Sequence, residues 1–282
     1  MVIDYLLLAL SSVSIGFKNF FARKSNQHLN ARHNIYTYNF YMFLLSFVVS
    51  VIIGAKELVR LNLYITVMGL LYAVFVVGAQ AFLIKATQYG GISISSLFYA
   101  CAFLVPLSFT IIAYKDYPSP IQLAGVVLLL VSFAVTLEKA ERANIKWFAF
   151  AISAMMCSGA VGIIQKLFGM SSDSEHLMAL MPVAFLGGAV ITFVLMPKRG
   201  FTLPSRGFLL VGLGSGITLG IANTVNVYIT GVLPGVIVFS CVNGGGIAAS
   251  AVIAAIFAKE KLSGRKIIGL IMSIAAICLI AL

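Results

Sequence analysis

Ten stretches of mostly apolar residues, joined by short polar segments, decide what this chain can become. They run near 2–22, 34–54, 63–85, 91–113, 119–137, 147–168, 177–196, 207–229, 235–257 and 264–282. The hydrocarbon layer of a bilayer is about 30 Å thick, so roughly 20 helical residues cross it. In lipid, a helix satisfies its backbone polar groups within one segment, which an irregular chain cannot do. The spacing therefore predicts an all-α integral membrane protein with ten transmembrane helices. Composition agrees: 61% of residues are hydrophobic and 10% charged, with mean hydropathy +1.07. A soluble domain carries about 25% charged residues. Residues 2–17 lack a basic flank and a small-residue cleavage motif, so they read as a retained first span rather than a leader.

The formal charge is +11. In a membrane protein, Lys and Arg gather on cytoplasmic loops, and no basic run here is long enough for a nucleic-acid footprint. The joints after odd-numbered spans hold Arg23, Lys24, Arg32, Lys85, Lys139, Arg142, Lys146, Lys198, Arg199, Arg206, Lys259, Lys261, Arg265 and Lys266, which is 14. The opposite side holds Lys56, Arg60, Lys115 and Lys166, which is 4. The count places the odd-numbered joints in the cytoplasm and both termini outside, with the cell membrane as the expected location.

The chain also repeats itself. At an offset of 144, Gly91 falls on Gly235, Ile112 on Ile256, Lys115-Asp116 on Lys259-Glu260, Ser119 on Ser263 and Gly125 on Gly269. At 143, Gly16 falls on Gly159. Apolar matches are cheap in so biased a sequence, whereas a Lys-acid pair, a Ser and a Gly at one offset are not. Five spans per copy is an odd number, so the second copy enters the membrane upside down. The expected organisation is two inverted five-helix repeats, residues 1–140 and 145–282, with a substrate site near the midplane between them.

The segments Lys-Asp-Tyr-Pro-Ser-Pro (115–120) before Gly125, and Lys-Glu-Lys-Leu-Ser-Gly (259–264) before Gly269, resemble the acid–x–x–Ser…Gly signature of the drug/metabolite transporter superfamily, EamA-like branch. Ser14-Ile15-Gly16 and Cys157-Ser158-Gly159 sit where that family breaks the first helix of each half. The resemblance covers essentially the whole chain. It implies a ten-helix basket in which helices 1, 3, 4, 6, 8 and 9 line a central cavity and helices 5 and 10 pack behind. It implies a carrier of amino acids or other small polar metabolites working by alternating access. Several members have cytoplasmic termini; the loop count of this chain puts them outside.

Candidate cavity residues follow from polarity in apolar spans. Lys18 shares a helix stripe with Ser14 and Ser11. It either faces a cavity or snorkels toward Arg23 and Lys24. In the eighth span Asn223 and Asn226 share a face with Thr230; they serve a substrate or bond other helices. Tyr72 and Gln80 in the third span, Ser96 and Tyr99 in the fourth, and Ser240 and Asn243 in the ninth complete the set. Pro106 removes a backbone hydrogen bond, and Gly244, Gly245 and Gly246 each cost about 1 kcal/mol relative to Ala in a helix. These four are expected hinge positions, the glycines otherwise serving tight packing. Tyr36, Tyr38, Tyr41 and Trp147 are expected in interfacial belts.

All eight acids (Asp4, Glu57, Asp116, Glu138, Glu141, Asp173, Glu175, Glu260) fall at span ends or in joints. The four-helix multidrug exporters of the same superfamily depend on a buried glutamate, for which this chain offers no candidate. Cys101, Cys157, Cys241 and Cys278 form no CxxC or Cys/His cluster, and no nucleophile–base arrangement is evident. No metal, cofactor or enzymatic chemistry is expected. The expected partners are a small-molecule substrate and membrane lipids, with the chain a monomer or homodimer. Competing readings are an exporter of lipophilic cations and a non-transporting structural or regulatory protein.

Overall fold

The computed structural model describes residues 2–25, 35–56, 61–89, 92–136, 144–171, 176–196, 205–257, 259 and 263–282. Gly91, Glu260, His28, His33, the side chain of Ser96 and residues 137–143, where the two copies join, lie outside these. The helices are α1 (Val2–Ser25), α2 (Ile35–Gly54), α3 (Leu63–Tyr89), α4 (Ile92–Ala100), α5 (Leu104–Tyr114), α6 (Pro120–Val135), α7 (Ile145–Gly169), α8 (Leu177–Leu195), α9 (Arg206–Val232), α10 (Gly235–Phe257) and α11 (Gly264–Ala281). A 3-10 turn, Cys101–Phe103, joins α4 to α5, so the two make one span. The ten spans are those expected from the sequence. Nine helices among the described residues are long and apolar enough to cross a membrane, and Pro120–Val135 is a shorter apolar helix. Large apolar side chains such as Ile52, Leu63, Val74, Ile112, Val194 and Ile256 point outward, as lipid requires.

The packing is reciprocal. α1 lies against α9 and α10, while its counterpart α7 lies against α3 and the α4–α5 span. α2 pairs with α8, and α6 with α11. Exchanging the copies carries each of these pairings into itself or another of them.

The match extends to single atoms. A Cβ on Gly16 would meet Ala249 Cβ at 2.7 Å, and one on Gly159 would meet Val105 Cβ at 2.3 Å. Ala249 and Val105 are themselves 144 apart. Likewise Gly125 abuts Ile280 and Ala276, and Gly269 abuts Thr136 and Ser132, the same positions with the copies exchanged. Only residues without a Cβ allow these helices to approach so closely.

The signature that opens the last span of each copy is a capping device. Lys115 and Lys259 both take left-handed backbone, at φ 55° and 52°, ending the preceding stretch. Ser119 then caps α6 by accepting from Gln122 N–H at 3.2 Å, and Gln122 Oε1 accepts from Ser119 N–H at 3.1 Å. Ser263 accepts from Lys266 N–H in the same way at the start of α11. Such a cap satisfies a backbone donor that the helix leaves open. Ser119→Ala is expected to cost about 0.5–2 kcal/mol, read as a lower midpoint of reversible denaturant unfolding in mixed micelles.

Two expected belt residues are buried instead. Trp147 is 4% exposed and its Nε1–H donates to Ser95 Oγ at 2.9 Å, tying α7 to α4. Tyr38 is 3% exposed, its hydroxyl on Ser215 and its ring edge-on to Phe208. Both sit near helix ends, where a belt was expected, but each polar atom finds a partner on a neighbouring helix.

Candidate functional site

A cavity of about 610 Å³ lies between the copies. Its walls come from α1, α3, α7, α9, α10 and the α4–α5 span, the six helices the sequence resemblance implies. α6 and α11 also contribute, through Phe133, Thr136, Lys266, Gly269 and Ser273. The cavity reaches the odd-joint ends of α1 and α11 at Ala22 and Lys266.

Its polar centre is a side-chain cluster from three helices. Asn223 Oδ1 accepts from Tyr72 Oη at 2.7 Å and from Gln165 Nε2 at 3.3 Å. Gln165 Nε2 also lies 3.5 Å from Tyr72 Oη. Asn223 Nδ2 donates back to Leu219 O at 3.1 Å. These bonds consume the oxygen of Asn223 and the N–H groups facing it, so the carboxamide oxygen of Gln165 has no donor within the cluster. Just under one turn further along α9, Asn226 Oδ1 accepts from Ser11 Oγ at 2.5 Å, and Asn226 also lines the cavity. Asn243 Nδ2 donates to Phe239 O at 2.9 Å. Tyr99 interacts with Ser158 across the α4–α7 contact.

 

Most expected residues meet in this cavity. Lys18, Tyr72, Gln80, Tyr99, Asn223, Asn226 and Asn243 line it, and so does Pro106. Lys18, for which the sequence left a cavity and a snorkelling reading, lies on the cavity wall. Ser14 and Ser240 are buried but lie off the wall. The expected helix break at Gly244–Gly246 is absent, since α10 runs unbroken over Gly235–Phe257. Its glycines instead admit Leu129, Ser12 and Ile15, which a Cβ would meet at 2.7, 2.8 and 2.6 Å. The irregular backbone is in the other copy, where the 3-10 turn Cys101–Phe103 precedes Pro106. Proline supplies no N–H for the helical bond to residue 102, which accounts for the tightened turn.

Sequence reading missed Gln165, Asn19 and Ser158, all on the wall. Gln165 and Asn19 offered a signal, each an amide inside an apolar span. Lys166, the neighbour of Gln165, was counted with the even-side joints, and the structure corrects this. Lys166 is 5% exposed, and its Nζ donates to Thr230 O at 2.9 Å and Leu233 O at 3.4 Å. A cation there satisfies the carbonyls that end α9. The even-side count then rests on Lys56, Arg60 and Lys115, which leaves the inferred orientation unchanged.

The even-joint side of the cavity is closed by backbone contact. Gly169 and Gly231 approach so closely that a Cβ on Gly231 would meet Gly169 O at 2.7 Å. Asp116 Oδ2 accepts from Gly235 N–H at 2.7 Å, pinning the start of α10 to the α5–α6 joint. Asp116→Ala is expected to raise, several-fold, the rate at which an impermeant maleimide labels a cysteine at Leu233 in a background lacking the four native thiols. An unchanged rate would show that this bond does not hold the face shut.

The comparisons with known proteins match this architecture. Residues 2–137 match the EamA-like transporter family. That match covers the first of the two five-helix copies. A solved structure described only as the crystal structure of a protein shares the fold of this chain, with TM-score 0.76 and 13% identity over 98% of this chain and 96% of that one. None of the curated proteins matches this sequence.

Proposed function

We propose that this protein is a secondary carrier of small polar metabolites, such as amino acids or related solutes, across the cytoplasmic membrane. The observation that supports this most is the cavity between the copies, with the Tyr72–Gln165–Asn223 cluster at its centre. Polar side chains are expensive inside a bilayer and are kept where they face substrate or one another. The units that move are the two five-helix copies, residues 1–140 and 145–282. The form described here is closed on the even-joint side by Asp116, Lys166 and the Gly169–Gly231 contact. Alternating access exchanges this closure for one on the odd-joint side. The α4–α5 span bends at Pro106, while the smooth glycine face of α10 slides on α1 and α6.

The cation-exporter reading is weaker, because no carboxylate lines the cavity among the described residues. Counterflow in liposomes tests the carrier. Vesicles preloaded with one member of a metabolite panel should accumulate the same labelled solute transiently and saturably. Lack of counterflow for every member, with folded protein present, would leave a structural or regulatory role.

A further inference from the structure

Lys18 is a cation placed well inside a membrane-spanning helix, on the wall of a cavity. Burying a charge is costly unless something of opposite sign answers it. Among the described residues, none of the cavity-lining side chains is acidic, and no carboxylate pairs with Lys18. The other charged side chain on the wall, Lys266, has the same sign and sits at the odd-joint end. The remaining polar side chains on the wall are uncharged, among them Gln80, Gln165, Asn223, Asn226 and Asn243. The cavity thus holds positive charge at one end and neutral hydrogen-bonding groups further in.

The spacing follows from α1. Ser11, which bonds Asn226, lies seven residues before Lys18. At 1.5 Å per residue the two levels are about 10 Å apart along the helix. That distance suits a small organic molecule with its charge at one end and its polar body at the other.

We propose that the transported solute carries an anionic group, a carboxylate or a phosphate ester, which Lys18 holds while the uncharged body lies against Asn226 and the Tyr72–Gln165–Asn223 cluster. This rests on the carrier reading and adds the charge class of its substrate. The solute's anionic group supplies the counter-charge that Lys18 lacks, so anions are selected and cations are repelled.

The test uses the purified full chain and matched probes that keep or lack one anionic group: lactate and lactamide, glycerol 3-phosphate and glycerol, with tetraethylammonium as the cation. A ligand that binds the folded state raises the unfolding midpoint. At least one anion should raise it where its neutral partner does not, and the carboxylate and phosphate pairs tell the two headgroups apart. Lys18→Gln should weaken that anion at least about tenfold, and Lys18→Arg should recover most of the loss. The proposal is overturned if no anion stabilises the wild-type chain, if a neutral partner binds as well, if tetraethylammonium binds, or if Lys18→Gln leaves anion affinity unchanged. The paired comparison on the wild-type chain stands even if the variants do not fold. Counterflow of a neutral partner would keep the carrier and remove the anion preference.

Discussion

Asn223→Leu should abolish exchange of whichever solute the parent chain carries, lowering the initial counterflow rate by about 10- to 100-fold, while leaving the fold intact. Leucine has the branched outline of asparagine and its extra bulk can enter the cavity, so the apolar packing around α9 survives. What is lost is the acceptor shared by Tyr72 and Gln165. Each of those donors then faces either an unmet hydrogen bond, worth about 1–3 kcal/mol, or a new orientation toward the cavity. Either outcome rearranges the surface a solute must recognise. An unfolding midpoint close to the parent's, together with lost counterflow, would place the effect in the cavity. Unaltered counterflow would show that the cluster only joins α3, α7 and α9.

Gly159→Leu should prevent recovery of monodisperse protein. The glycine lies where α7 crosses the α4–α5 span, and even a single added carbon would sit 2.3 Å from Val105 Cβ. Overpacking commonly costs about 1–3 kcal/mol, and more where the backbone has no room to yield. A leucine at this crossing must push apart two helices from different copies. Gly78→Ala is the control, since its added carbon would meet Cys157 Sγ at an ordinary 3.5 Å. Size-exclusion profiles of the two variants, made side by side, check the contrast. A well-behaved Gly159→Leu chain would mean that the crossing is looser than its geometry indicates.

The spans and the repeat were legible because they depend on composition and spacing alone. An apolar run of sufficient length has one stable state in lipid, and the Lys-acid–x–x–Ser…Gly segments encode a local cap that needs no tertiary partner. Facing was less legible. Trp147 and Tyr38 have the composition of belt residues, yet Ser95 and Ser215 reach them from helices remote in sequence. Lys166 resembles a joint lysine until α9 ends beside it. The glycines of α10 could mean a break or a close contact, and only Ser12, Ile15 and Leu129 decide between them. The candidate cavity was found in part because buried amides are rare enough to stand out. Gln165 escaped because its importance lies in its partners, Tyr72 and Asn223.

The reciprocal packing also bears on how the chain is made. α1 finds its main neighbours in α9 and α10, α2 in α8 and α9, and α6 in α11. When the ribosome has delivered the first five spans, most of their mating surfaces are still unsynthesised. These helices must wait in the bilayer, dispersed or in provisional company, until the later ones are threaded among them. The protein cannot ripen from one end to the other, and a ribosome stalled after the fifth span would leave a product with no finished core for quality control to spare.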